Sequence, residues 1–122
     1  GVNKIYGTSV MLSESTYKLV KDQFICRKLD CIKVKGRNEP IFIYELLAEV
    51  NDENREKYCW IKTYEDAWQL YFDKKWAEAK DIFEKLIIEK NDCVAKVMLD
   101  RCAKLINSSP NNWDGVLKLE VK

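Results

Sequence analysis

Hydrophobic alternation and helical spacing divide the chain into a strand-rich first part and a helical second part. Ser13 is a candidate N-cap, and Glu14 suits the first turn of a helix that runs to about Asp22. Short apolar runs and alternation predict strands before and after that helix, at residues 9–12, 24–29, 31–35 and 41–47. The predicted order is strand, helix, strand, strand, strand.

In the second part, apolar residues recur three and four positions apart, which is the spacing of one helix face. Thr63 and Asp66 resemble a capping box at the start of the first helix. Lys74-Lys75 lies at the turn before a second helix, and Asn91-Asp92 caps a third. The three apolar stripes comprise Tyr64, Ala67, Trp68 and Tyr71; Trp76, Ala79, Phe83, Leu86 and Ile87; and Ala95, Met98, Leu99, Cys102 and Leu105.

Alternation returns at the end of the chain. After an Asp114-Gly115 turn signal, Leu117, Leu119 and Val121 alternate with charged residues, which predicts a strand with one apolar face. A lone strand is not stable, so this strand needs a partner sheet.

The predicted class is α+β, with four segments along the chain. Residues 1–50 form a small strand and helix piece, residues 63–107 a three-helix unit, and residues 108–122 an extended tail. Between them, residues 51–62 are charged and lack an apolar period, which favours a linker but leaves a polar helical turn open.

Composition narrows the range of partners. The 122 residues are 47% hydrophobic and carry a net charge of +1, so no global basic field indicates nucleic acid. The start lacks the pattern of a signal peptide, and no apolar run approaches the ~20 residues that span a bilayer. We expect a cytoplasmic location, which includes the cytosolic part of a membrane-anchored parent.

The chain has no histidine, which removes the commonest general base and zinc ligand. Its five cysteines are odd in number and form no C-x-x-C pair. This favours reduced, mostly buried thiols. The alternative is a redox-sensitive pair of Cys26 and Cys31 on neighbouring strands.

A series of short motifs carries a family resemblance. Over residues 1–47 the chain resembles the C-terminal end of the catalytic domain of class III adenylate and guanylate cyclases. The resemblance implies the last helix and the closing strands of that domain. The matching motifs, in order, are Tyr6-Gly7-Thr8-Ser9-Val10, Ser13-Glu14-Ser15-Thr16-Tyr17, Leu29-Asp30, Val34-Lys35-Gly36-Arg37 and Pro40-Ile41-x-x-Tyr44-Glu45-Leu46.

The second part resembles the tail of a bacterial subgroup of these cyclases, in which TPR-like helices follow the catalytic domain. The motifs are Ala79 with Phe83, Leu99-Asp100-Arg101-Cys102 and Trp113-Asp114-Gly115-Val116. A TPR repeat needs about 34 residues, and arrays need roughly three repeats for stability. The unit must therefore lean on something else or pair with another copy.

The resemblance implies a parent that makes cyclic AMP and pyrophosphate from ATP in signal transduction, with two Mg²⁺ or Mn²⁺ ions. Adenylate is favoured over guanylate only because the subgroup consists mostly of adenylate cyclases. By the resemblance, the metal aspartates, the purine-selecting residues and the transition-state Asn/Arg pair lie upstream. We therefore expect no catalytic residue and no cofactor in this chain, and no activity from the chain alone.

One functional position remains by the resemblance. Lys35 matches the family lysine that binds the outer phosphates of the nucleotide, and Gly36 permits a sharp turn beside it. Arg37 and Lys33 are secondary candidates. The alternative is that Lys35 is a solvated charge at the end of a strand.

Other conspicuous side chains favour structural roles. Asp30 and Glu39 are nine positions apart, and we expect solvated turn residues rather than a carboxylate pair. Aromatic residues of the helices and tail favour packing or interaction over base stacking. They are Trp68, Tyr71, Trp76, Phe83 and Trp113.

Two further functions compete with a cyclase fragment. The helices would form a non-catalytic module that binds a partner protein, or Lys35 would belong to a nucleotide sensor without turnover. Strands normally paired with upstream strands would expose sheet edges. We therefore expect a homodimer or strand swap, contact with the rest of the cyclase, a tail strand that covers an edge, or poor order in the first part.

Overall fold

The computed structural model describes residues 2–8 and 10–119, which form one sheet and six helices. This confirms the predicted α+β class. Ser9 of the first predicted strand and Val121 of the predicted tail strand lie outside the described residues. The elements are α1 (Val2–Tyr6), β1 (Met11–Ser13), α2 (Glu14–Val20), β2 (Phe24–Val34), β3 (Ile41–Glu49), α3 (Asp52–Lys57), α4 (Ile61–Phe72), α5 (Trp76–Lys90), α6 (Cys93–Ser108) and β4 (Leu117–Leu119).

The sheet has the order β1-β3-β2-β4. β3 pairs antiparallel with β1 and with β2, while the tail strand β4 pairs parallel with β2, with Ile32 opposite Leu117 and Val34 opposite Leu119. The tail strand therefore covers an edge of β2, one of the outcomes expected from the sequence. Its apolar side chains gain a partner sheet, which a lone strand lacks.

Two separate strands at residues 24–29 and 31–35 were a wrong prediction, because β2 is continuous through them. Between Lys28, opposite Tyr44, and Asp30, opposite Ile43, β2 contains one extra residue relative to β3. This bulge shifts the alternation by one position without ending the strand. The sequence pattern predicted two strands because the charged residue Asp30 interrupts the apolar alternation, although Asp30 is buried in the structure.

Two local expectations about the helices also change. Residues 52–57 form α3, the polar helical turn that the sequence left open, with the Asn51 side chain accepting from Asn54 N at 2.7 Å. The capping box at Thr63 was a wrong prediction, because α4 begins at Ile61 and its N-cap, Trp60, makes no side-chain capping bond. Ile61 is buried, which adds packing one turn earlier than the polar pattern indicated.

The helices and the sheet share one hydrophobic core. α5 packs against α4 and α6, and a single cluster of buried side chains extends from Tyr6 and Leu29 to Phe83 and Met98. The three-helix unit therefore packs against the strand-rich part of the same chain. No helix within the described ranges has the length and apolar character needed to cross a membrane.

Helix α4 also satisfies backbone groups of β2 at residues that precede its pairing with β4. Tyr64 Oη donates to the Leu29 carbonyl oxygen at 2.7 Å, and Lys28 N donates to a carboxylate oxygen of Glu65 at 2.8 Å. A buried strand edge with unpaired polar groups is costly, so these two side chains replace a missing strand neighbour.

Candidate functional site

The predicted phosphate-binding residues lie at the end of β2 and in the turn that follows. Gly36 has a φ of 90°, and Arg37 N donates to the Val34 carbonyl oxygen at 3.0 Å, which closes the turn. A Cβ at Gly36 would meet no atom within 4 Å, so the glycine serves the backbone conformation and not a close contact. Lys35 is exposed to solvent.

Four cationic side chains line one shallow cavity of about 320 Å³ at this turn. We call Lys33, Lys35, Arg37 and Lys118 the basic cluster. Lys33, Lys35 and Arg37 were predicted as candidates, and the structure brings all three together. Lys118 was missed, because its place depends on the partner of the tail strand. The alternating tail pattern was the available signal for its exposed face.

The tail strand fixes the backbone beside Lys35. In the parallel register Lys33 lies opposite Lys118, and Lys35 N donates to the Leu119 carbonyl oxygen at 3.0 Å. The turn therefore has a supported backbone, while the cationic side chains remain free to reach a ligand. Lysine and arginine offer donors and positive charge, so the cluster suits an anion.

Few carboxylates compensate this charge. Within residues 2–8 and 10–119, Lys118 pairs with Asp114 at 3.6 Å, an exposed contact, and the other three members of the basic cluster form no ion pair within 4 Å. Exposed ion pairs are worth about 1 kcal/mol or less, so Lys118 remains available to another anion.

Asp30 is not a solvated turn residue, and that prediction was wrong. Its side chain is fully buried. One carboxylate oxygen accepts from Trp68 Nε1 at 2.9 Å and from Cys31 N at 2.8 Å, and the other accepts from Arg101 Nη1 at 2.6 Å and from the Tyr6 hydroxyl. A buried carboxylate requires such partners because desolvation of a lone charge is costly.

The Asp30 cluster changes the acid–base behaviour of its members. Burial, and then the nearby Asp30 carboxylate, raise the pKa of Tyr6 well above its usual value. Burial works to lower the pKa of Arg101, but Asp30 and the neighbouring tyrosines outweigh it and hold the guanidinium charged. Glu39 lies exposed in the turn, away from this cluster, so the two carboxylates do not form a pair.

A second buried cluster joins the same sheet to the start of α6. Arg27 is 2% exposed and forms ion pairs with Glu45 on β3 and with Asp92, the N-cap of α6, at 2.7 Å for the latter. Its guanidinium lies 5.2 Å from the ring centre of Trp60 and 4.7 Å from that of Tyr64. Both ion clusters therefore fasten α6 to the sheet at two points.

The predicted packing residues lie mainly in the interior. Trp68, Tyr71, Trp76 and Phe83 are buried. Trp113 is half-buried: its Nε1 donates to the Phe72 carbonyl oxygen at 2.8 Å, and its ring meets Tyr71 and Trp76 edge-on. These side chains are occupied by contacts within the chain, so they do not form an open stacking platform.

The cysteines and carboxylates do not form a metal centre in the described part of the chain. All five thiols are free; Cys31 and Cys102 are buried, whereas Cys59 and Cys93 are exposed. Cys26 and Cys31 lie on the same strand, β2, which corrects the prediction of neighbouring strands. No group of three or more His, Cys, Asp or Glu side chains is placed to hold a metal within residues 2–8 and 10–119.

Comparison with known proteins finds similarity to a cyclase. The chain is 26% identical over 110 residues to the terminal-differentiation specific adenylate cyclase of Dictyostelium discoideum. The similarity covers 86% of this chain but 5% of that protein's length. No family model matches the chain, and no solved structure matches it.

Proposed function

We propose that this chain is a C-terminal part of a nucleotide cyclase in which the helices brace the closing strands of the catalytic domain. The observation that carries the proposal is the extent of the similarity, because it covers 86% of this chain, more than the helical part alone could supply. A similarity to the helices alone would favour an independent module. The two buried ion clusters support the same conclusion, since they join α6 to the sheet.

In this proposal the chain contributes binding and not chemistry. The parent would form cyclic AMP by attack of the ribose 3′-oxygen on the α-phosphorus, with release of pyrophosphate. Lys35, aided by Arg37 and Lys33, would hold the outer phosphates, since fixed cations stabilise the charge that develops on the leaving group. The divalent metals would be held by carboxylates of another part of the cyclase.

A titration tests the proposed role of Lys35. Addition of ATP to the ¹⁵N-labelled chain is expected to shift amide signals of residues 33–37, and Lys35→Ala is expected to weaken binding several-fold. Lys85→Ala is the matched control, because Lys85 is exposed on α5 and its substitution removes the same charge. Equal loss in both variants, or no shift in the wild type, would contradict the proposal.

An activity assay tests the division of labour. The pure chain with ATP and Mn²⁺ is expected to yield no steady production of cyclic AMP, because the residues that hold the metals and the transition state are assigned elsewhere in the parent. Steady turnover that survives repurification would show that the catalytic set is here after all.

The second candidate is a non-catalytic module that binds another protein or a second copy. An open groove of about 550 Å³ beside α1 favours it, with apolar walls from β1, β2 and β3. The TPR-like helices favour it less, because the aromatic side chains of their inner faces already pack within the chain. Light scattering over a range of concentrations tests it, and a strictly monomeric chain would count against self-association.

A further inference from the structure

The pairing of β2 with β4 sets two positive charges against each other. Lys33 and Lys118 are direct partners in the parallel register. Like charges at paired positions of a sheet are destabilising, whereas opposite charges are favourable. A lysine at position 118 therefore does not favour strand pairing. A bound anion between the two lysines would make this pair of positive charges favourable.

The remaining cations lie on the same side of the turn. Lys35 is the first residue of the turn after β2, and it borders the same cavity as Lys33 on the strand. Arg37 follows the glycine turn and borders the same cavity of about 320 Å³ as Lys118. That volume is at the lower end of the range for small-molecule sites, about 300 to 1,000 Å³.

The charge of the basic cluster is concentrated compared with the whole chain. Four cations meet at this turn, and among the described residues the ion pair with the exposed Asp114 is the one compensation within 4 Å. The complete chain has a net charge of only +1. A small anion with several negative charges would relieve the repulsion between Lys33 and Lys118.

We propose that Lys118 of the tail strand joins Lys33, Lys35 and Arg37 in binding the phosphate chain of a nucleoside triphosphate or of free pyrophosphate. This inference rests on the proposed function and assigns part of the phosphate site to the extension beyond the helices. The hydrogen bond from Lys35 N to the Leu119 carbonyl oxygen couples the tail to the same turn. Ligand binding therefore stabilises the docked tail strand by mass action.

Isothermal titration with pyrophosphate and, separately, with ATP tests the inference at low ionic strength. Lys118→Gln is expected to weaken binding of both ligands by up to about fivefold, the upper end for one exposed ion pair. Lys85→Gln removes an equal charge from α5 and is expected to leave both affinities unchanged. Added salt is expected to weaken wild-type binding, because the cluster is exposed.

The outcomes separate this inference from the proposed function. If Lys35→Gln weakens binding and Lys118→Gln does not, the tail lysine is not part of the site, although the cyclase proposal stands. If neither ligand binds the wild-type chain, both proposals fail. The Trp113 indole N–H signal, which reports its bond to Phe72, verifies that the tail of Lys118→Gln remains docked.

Discussion

At the scale of single residues, Asp30 shows how one carboxylate can link distant parts of a chain. It receives hydrogen bonds from α1, α4 and α6 through Tyr6, Trp68 and Arg101. Each of these donors comes from a different helix, and all converge on one strand position. The cluster contributes attachment more than chemistry, since the Asp30 carboxylate is fully buried and occupied by these donors.

We expect Asp30→Asn to destabilise the fold by about 3 kcal/mol, because loss of one partner leaves a buried charge uncompensated. The new amide nitrogen would also face two donors, the Tyr6 hydroxyl and Arg101 Nη1. Urea unfolding followed by circular dichroism measures the loss. Asp66→Asn, the same change at an exposed position, is expected to alter stability by less than about 0.5 kcal/mol. A similar small effect at Asp30 would disprove the buried link.

Tyr71 predicts a dependence of stability on alkaline pH. Burial raises the pKa of Tyr71 to about 12, although Arg101 opposes the shift. An unfolded tyrosine releases its proton near pH 10, so between pH 10 and 12 the folded state binds the proton more tightly. The contribution is complete below pH 10 and is lost as the pH rises towards 12, by about 1.4 kcal/mol per pH unit.

Between pH 10 and 11.5 we expect the unfolding free energy of Tyr71→Phe to fall less steeply with pH than that of the wild type. The difference in slope is expected to correspond to about one proton, or about 1.4 kcal/mol per pH unit. Urea unfolding at several pH values measures the slope, and ultraviolet absorbance follows phenolate formation directly. Unchanged slopes in the variant would show that Tyr71 titrates normally in the folded chain. The Tyr17→Phe variant is a useful comparison, because burial raises the pKa of that half-buried ring as well, from a different part of the fold.

At the scale of elements, the tail depends on a close contact between a turn and α4. Gly115 has a φ of 73°, and a Cβ there would lie 2.1 Å from an aromatic carbon of Phe72. Trp113 bonds to the carbonyl oxygen of the same residue. The turn that leads to β4 therefore has no space for a Cβ beside the Phe72 ring.

We expect Gly115→Ala to destabilise the chain by about 3 kcal/mol and to release β4, since steric overlap adds to the strain of a positive φ. Gly36→Ala is the matched control: the φ is also positive, but the space is open, so the cost is about 1 kcal/mol. Amide hydrogen exchange at residues 117–119 measures release of the strand. Equal protection in both variants would contradict the steric argument.

At the scale of the whole molecule, the sheet and the helices are expected to unfold as one unit. Both ion clusters and the shared core cross the boundary between residues 1–50 and 63–107. A single cooperative transition is therefore expected by fluorescence and by circular dichroism. A separate peptide of residues 1–50 is expected to give the poorly dispersed NMR spectrum of an unfolded chain. Two transitions, or a folded peptide, would indicate independent domains.

Local patterns predicted the elements that depend on local physics. Ser13 caps α2 and Asp92 caps α6, each with the side-chain bond that such residues provide at an N-cap. The stripes of the three longer helices were confirmed by burial of Tyr64, Phe83 and Met98. α1 was not predicted, since five residues are too few to show a helical period.

Long-range features escaped prediction for physical reasons. The sequence pattern predicts that a charged residue within an apolar strand, such as Asp30, is exposed. Its burial depends on Arg101, 71 positions later in the chain. Of the basic cluster, Lys35 was a candidate through the cyclase resemblance, and Arg37 and Lys33 were weaker candidates beside it. Lys118 joins them through parallel strand pairing, which has no short-range signal.

The sequence by itself determined the three longer helices, the caps of α2 and α6 and the turn at Gly36, because these follow from side-chain periodicity and backbone preference within a few residues. The tertiary structure alone decided which strand the tail joins, where Arg27 and Asp30 find their counter-charges, and which lysines share a cavity. Each of those outcomes depends on packing between residues far apart in the chain, and burial reverses the usual preference of a charge for solvent only when a partner is present.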